Sequence, residues 1–182
     1  MVLQYSDQLP LGWVAPEFSL TSAMGRLVRL SDFADRPGLL VVFTCNHCPY
    51  AQAAWPILVD LHEEFHDQVQ FVAINSNDPV QVPEDGIDKM RELIVKMEIE
   101  FPYVIDEDKT VANALHAQCT PDLYLFKNNG QQFELFYHGR VNDNWQHPEN
   151  VTEHSLLDAL RKLTADETPP ANQYPSMGCS LK

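Results

Sequence analysis

Two of the four cysteines stand three positions apart in Phe43-Thr44-Cys45-Asn46-His47-Cys48-Pro49-Tyr50. A Cys-x-x-Cys pair of this kind is first of all a thiol–disulfide site, because two nearby thiols can close and reopen a disulfide by exchange. In such settings a thiol pKa falls from about 8.5 to roughly 3.5–7.5, which makes one sulfur a nucleophile at neutral pH. Cys45 is expected at a helix N-terminus, exposed, with unpaired amides and the positive dipole end favouring its thiolate. Cys48, one turn further in, is then the resolving thiol. Asn46 and His47 lie between them as tuning groups, and a protonated His47 adds a second stabilising charge.

Half of a zinc site is the competing chemistry. His116-Ala117-Gln118-Cys119 supplies a second pair with ligand-like spacing, so Cys45, Cys48 and a further Cys or His form a candidate metal-binding or metal-delivery set. Exchange is preferred, and no metal or cofactor is expected, because one Cys-x-x-Cys between a strand and a helix suits redox work better. Cys119 reads first as a small buried residue and second as an auxiliary redox thiol. Cys179, in Pro175-Ser176-Met177-Gly178-Cys179-Ser180, is an auxiliary thiol if its segment reaches the site.

The elements that must position these residues follow from periodicity. Gly38-Leu39-Leu40-Val41-Val42-Phe43-Thr44 has the apolar, β-branched character of a buried strand. Ala51, Ala54, Leu58, Leu61 and Phe65 recur at helical spacing, with Pro49 suited to the first turn. Val69 to Asn75 reads as a second buried strand, and Ile87, Met90, Leu93, Ile94 and Met97 share a helix face. A short strand follows over residues 101–105, with Thr110 as cap of a further helix. Strand–helix alternation implies parallel strands joined by crossovers. Near the amino end, Phe18 and Leu20 with Val28 and Leu30 outline a hairpin. Near the carboxyl end, Asn128-Asn129-Gly130 marks a hairpin turn between residues 123–126 and 133–137. Thr152 is expected to cap a last helix, and residues 165–182 form a proline-rich tail along the surface.

Composition bounds the partners. A chain of 182 residues, 45% hydrophobic and 21% charged, is long enough to bury one sizeable core. Its net charge of −14 at pH 7 disfavours nucleic acid and anionic membrane surfaces. No apolar run reaches the roughly 18 residues that cross a bilayer. The first residues carry neither a basic nor an apolar leader pattern, and four cysteines are too few for a disulfide scaffold. A cytoplasmic protein is the expectation. Its expected partners are a protein or small-molecule disulfide or thiol, together with an electron donor or acceptor that sequence does not identify.

Several motifs carry a family resemblance. Gly12-Trp-Val-Ala-Pro-Glu-Phe-Ser-Leu20, Gly25 and Leu30-Ser-Asp-Phe33 resemble the opening of the peroxiredoxin, or alkyl hydroperoxide reductase/thiol-specific-antioxidant, superfamily. Phe43 to Tyr50, Ala73-Ile-Asn-Ser-Asn-Asp-Pro79, Cys119-Thr-Pro-Asp122 and Met177-Gly-Cys-Ser180 resemble its peroxiredoxin-like thioredoxin-family members. The resemblance implies an α/β thioredoxin fold over residues 1–164, with an N-terminal extension over 1–37, an inserted helix and a tail over 165–182. It also implies a cis bond before Pro121 beside the active sulfurs, with Thr120 offering backbone groups to an extended substrate segment. The implied activity is thiol–disulfide exchange, with a thiol peroxidase using Cys48 as peroxidatic cysteine as the alternative. Two departures are visible. Matching the peroxiredoxin Pro-x-x-x-Thr-x-x-Cys motif to Cys48 puts Val41 and Cys45 at its proline and threonine, and Leu39 replaces the buried Asp of thioredoxins.

Overall fold

The computed structural model describes residues 3–182. The chain runs through β1 (Leu3–Tyr5), β2 (Ser19–Ser22), β3 (Leu27–Arg29), β4 (Gly38–Phe43), α1 (Pro49–Phe65), β5 (Val69–Asn75) and α2 (Ile87–Met97). It continues through β6 (Tyr103–Ile105), α3 (Thr110–Ala114), β7 (Cys119–Thr120), β8 (Asp122–Asn128), β9 (Phe133–Gly139), α4 (Ser155–Thr164) and β10 (Met177–Ser180). Seven strands make one mixed sheet in the order β3-β2-β6-β5-β4-β8-β9, and a second, small sheet has the order β1-β10-β7.

β4 lies inside the large sheet, parallel to β5 and antiparallel to β8. Every residue of β4 is buried, which explains its unbroken apolar sequence. Strand alternation sends Leu40, Val42, Phe71, Ala73, Leu123 and Leu125 to one face, where they meet Leu58 and Leu61 of α1 and Leu156 and Leu160 of α4. Leu39, Val41, Phe43, Val72, Ile74 and Tyr124 point to the other face, which α3 and the amino-terminal segment cover through Val111, Leu115, Phe18 and Phe33. The expected amino-terminal hairpin is present as β2–β3, and β2 joins the large sheet through β6. At the β8–β9 turn Gly130 has φ +88°, a conformation that suits glycine.

Three local expectations are corrected. Lys109 precedes α3 in the left-handed region and Thr110 is the first helical residue, so Thr110 is not the cap. α4 starts at Ser155 with His154 before it; Thr152 instead bonds the Asp143 carboxylate through its own N–H (3.0 Å) and hydroxyl (2.5 Å). Residues 165–182 are more than a surface tail, because Met177–Ser180 forms β10 between β1 and β7.

Leu58 is completely buried where α1 lies on the sheet. Leu58→Ala is expected to cost about 2–5 kcal/mol in a urea unfolding curve. A loss below about 1 kcal/mol would contradict this packing.

Candidate active site

The β4–α1 loop carries the two cysteines to the carboxyl end of a central strand, beside β7. α1 begins at Pro49, whose missing N–H leaves no donor unpaired at that position, and Cys48 takes the capping place with extended backbone (φ −72°, ψ 123°). The expected placement therefore shifts by one turn. Cys45 precedes the helix instead of opening it, and Cys48 sits at the helix end instead of inside. Cys45 is also fully buried, not exposed, as is Cys48.

Asp85, in the loop before α2, holds this segment from one side. Its carboxylate, 2% exposed, accepts from the N–H groups of Asn46 (2.8 Å) and His47 (3.2 Å) and from the Asn77 side-chain amide (2.8 Å). It also lies 2.6 Å from His47 Nδ1. These four contacts offset the cost of burying a charge. Asn46 is pinned further, donating from Nδ2 to the Glu84 carbonyl (2.9 Å) and accepting from Tyr103 OH (3.2 Å). His47 is thus turned toward Asp85.

The sulfurs meet at Thr120. Cys45 Sγ is 3.3 Å from Thr120 Oγ1, while Cys48 Sγ is 3.2 Å from the Thr120 carbonyl oxygen and 2.6 Å from Cys179 Sγ. Trp55 Nε1 donates to the Cys45 carbonyl at 3.3 Å. The proximity of Cys45 and Cys48 drives their two thiols in opposite directions. The hydrogen bond to Cys48, burial and the Asp85 charge push the Cys45 thiol far up. The same bond from Cys45, helped by Cys179 and the Ala51 N–H at the helix end, lowers Cys48 to about 4 against its desolvation. The Thr120 carbonyl and Cys179 Sγ are acceptors within reach of a Cys48 S–H. Burial, then the neighbouring Cys48, pushes Cys179 up to about 12.

The bond before Pro121 is cis, as the resemblance implies. Thr120 does offer its backbone as a strand edge, but β10 takes that edge, with Cys179 opposite Thr120. Cys119 points elsewhere, with Sγ 3.8 Å from the Pro121 carbonyl, and burial raises its thiol first, the Asp122 charge second. The His116–Cys119 pair does not join Cys45 and Cys48, since His116 is exposed with its ring edge-on to Trp13. Among the described residues, the donors that do gather are Cys45, His47 and Asp85, within 4.8 Å of one another. Those atoms already hydrogen-bond to protein groups.

Sequence alone missed Asp85, β10 and a buried triad behind Pro121. In that triad His138 Nε2 lies 3.1 Å from Asp122 Oδ1, and Tyr124 OH donates to Asp122 Oδ2 at 2.9 Å. The Leu9 N–H donates to His138 Nδ1, which leaves Nε2 to carry the proton. The Pro-Glu-Asp-Gly turn at Asp85 gave a loop signal but no direction. An apolar cleft of about 290 Å³ adjoins the site, with Tyr50, Pro121, Arg140, Trp145 and Met177 in its wall. The Tyr50 and Trp145 rings lie 4.0 Å apart there.

Residues 11–131 match the model of the AhpC/TSA family. The thiol-disulfide oxidoreductase ResA of Geobacillus kaustophilus (strain HTA426) is 30% identical over 122 residues, a match spanning 66% of this chain and 66% of that protein. A crystal structure of a conserved protein from Geobacillus kaustophilus superposes with a TM-score of 0.92 at 38% identity, covering 100% of this chain and 96% of that one. The thioredoxin domain of a thiol-disulfide oxidoreductase from Bacteroides vulgatus shares the fold, with a TM-score of 0.58 at 20% identity over 72% of this chain and 91% of that one.

In the reduced protein, thiolate absorbance from one sulfur is expected to persist until the pH falls to about 4, and to vanish in Cys48→Ser. Because the folded value lies below the ordinary 9.0, the stability this thiolate contributes is complete above pH 9 and lost as pH falls through about 4. A single midpoint near 9 would contradict the assignment. Asp85→Asn removes a charge that raises Cys45, so the second thiolate is expected at lower pH than in the parent. The same change should cost roughly 1.5–3 kcal/mol from the lost charged hydrogen bonds. An unchanged second titration and unchanged stability would remove Asp85 from the account.

Proposed function

Because the chain belongs to the AhpC/TSA family, we propose that it is a thiol–disulfide oxidoreductase in which Cys48 attacks and Cys45 resolves. The observation that carries this is the position of Cys48 at the α1 N-terminus, beside the Ala51 N–H, where its thiol is held below the ordinary value while burial and the Asp85 charge help keep Cys45 protonated. The roles of the two thiols are thereby the reverse of those the spacing suggests. The Cys48 thiolate attacks a disulfide R–S–S–R′, forming Cys48–S–S–R and releasing R′S⁻. Cys45 then attacks Cys48, the Cys45–Cys48 disulfide forms, and the Cys45 proton leaves with RSH. The reverse sequence oxidises a dithiol substrate. Asn46 and His47, fixed by Asp85, act as positioning residues for the loop, and the apolar cleft at Pro121 offers a surface for the substrate's side chains.

A thiol peroxidase is the second reading. The low thiol is Cys48, the cysteine that aligns with the peroxidatic position, and this favours it. Val41 and Cys45 at the motif's proline and threonine positions weigh against it, because the groups that would hold a peroxide are replaced.

Turnover of a small disulfide is expected to fall to the uncatalysed rate in Cys48→Ser. If Cys45→Ser blocks the first attack and Cys48→Ser instead accumulates a mixed disulfide on Cys45, the roles are reversed. Oxidation by hydrogen peroxide no faster than that of free cysteine supports exchange over peroxidase activity; a much faster reaction reverses that preference.

A further inference from the structure

We propose that Cys179 is a third catalytic thiol, carried on β10, and that it forms a disulfide with Cys48 in alternation with Cys45. The proposal rests on Cys48 being the attacking sulfur. Geometry carries it. Cys179 Sγ lies 2.6 Å from Cys48 Sγ, and both residues are at most 2% exposed. The two sulfurs face each other with no intervening group, so bond formation asks little movement of either main chain.

The placement is built into the chain. β10 pairs antiparallel with β7, Cys179 opposite Thr120 and Ser180 opposite Cys119. Gly178 permits this approach: a Cβ at that position would stand 1.9 Å from the Thr120 carbonyl oxygen. No side chain larger than hydrogen fits, so β10 can lie on the Thr120 edge only with glycine beside Cys179. Both flanks are tied down. Ser176 N–H donates to Ser6 Oγ (2.9 Å) and Ser176 Oγ to the Gly139 carbonyl (2.7 Å). On the other side Leu181 N–H donates to the Gln118 carbonyl (3.0 Å), and Lys182 N–H to Asn77 Oδ1 (2.7 Å). Asn77 also donates to Asp85, so the chain end and the Cys45–Cys48 loop share one anchoring network.

The chemistry balances in two ways. In the first, Cys179–SH attacks a Cys48–S–S–R mixed disulfide; Cys48–S–S–Cys179 forms and RSH leaves with the Cys179 proton. In the second, Cys179 attacks Cys48 of a Cys45–Cys48 disulfide, which moves to Cys48–Cys179 while Cys45 takes up the proton, with no net oxidation. β10 thus presents its cysteine on the strand edge that an extended substrate would occupy, and a protein substrate must displace it.

The test treats full-length Cys45→Ser with oxidised glutathione, then blocks remaining thiols and maps peptides by mass under non-reducing conditions. The expected product is a Cys48–Cys179 cross-link, with both thiols lost to alkylation. A persistent Cys48–glutathione adduct beside an alkylated Cys179 would overturn the proposal while leaving Cys48 as the attacking sulfur. No adduct and no cross-link at Cys48 would sink the proposal together with the assignment beneath it. Gly178→Ala, which keeps every thiol, is expected to lose the Cys48–Cys179 cross-link and retain Cys45–Cys48; an undiminished Cys48–Cys179 yield would count against the strand's role. Unmodified protein is expected to give both cross-links, and finding Cys45–Cys48 alone would overturn the proposal.

Discussion

The Asp85 carboxylate fixes the arrangement on which everything else depends. A loop with two cysteines, an asparagine and a histidine has no regular hydrogen bonding of its own. The N–H groups of Asn46 and His47, both half-buried, find their acceptor in Asp85. By also binding the Asn77 amide, Asp85 links that loop to the end of β5, and Asn77 in turn accepts from the main chain of Lys182. One buried charge therefore sets the position of the sulfur pair and of the strand that covers it. The same charge disfavours a second negative charge on Cys45, so it also helps decide which sulfur keeps the proton.

That decision gives the site its character. A capping cysteine meets the free amides of the first helical turn, and a buried neighbour can only donate to it. Cys48 lies between two sulfur neighbours: Cys179 Sγ stands 2.6 Å away, and both Cys45 and Cys179 hold the Cys48 thiol below its ordinary value. Burial alone would have raised all three thiols. The balance tips for Cys48 because it alone caps the helix while both of its sulfur neighbours can act as donors. A site of this kind is closed at rest, and the strand that closes it carries a thiol of its own.

Much of this was legible in the sequence, for identifiable reasons. The continuous apolar run of β4 and the helical spacing of α1 gave strand, helix and the junction between them. The cis bond at Pro121 came from the family resemblance, since local sequence does not specify an isomer. Pro49 marks the helix start correctly, and it is the cysteines that stand one turn earlier than expected: proline at the first helical position makes the preceding residue, Cys48, the cap. Asp85 was illegible because two of its partners are main-chain amides of a loop some 38 residues away, which leave no trace in residue type. β10 was hidden for a related reason. Met177-Gly178-Cys179-Ser180 has no alternation, and its glycine serves close backbone contact with Thr120. His138 carries no local signal because its partner Asp122 lies across the β8–β9 pair.

The sharing of one sulfur, Cys48, between two disulfide partners governs the redox behaviour proposed for the site. It is tested most directly by equilibrating the full-length protein across a series of glutathione redox buffers and quantifying alkylation of each cysteine separately. Protection of Cys48 is expected to equal the sum of the protections of Cys45 and Cys179 at every potential, with Cys119 alkylated throughout once the protein is unfolded. Protection of Cys45 that matches Cys48 one for one, with Cys179 never protected, would contradict it and leave an ordinary two-thiol site.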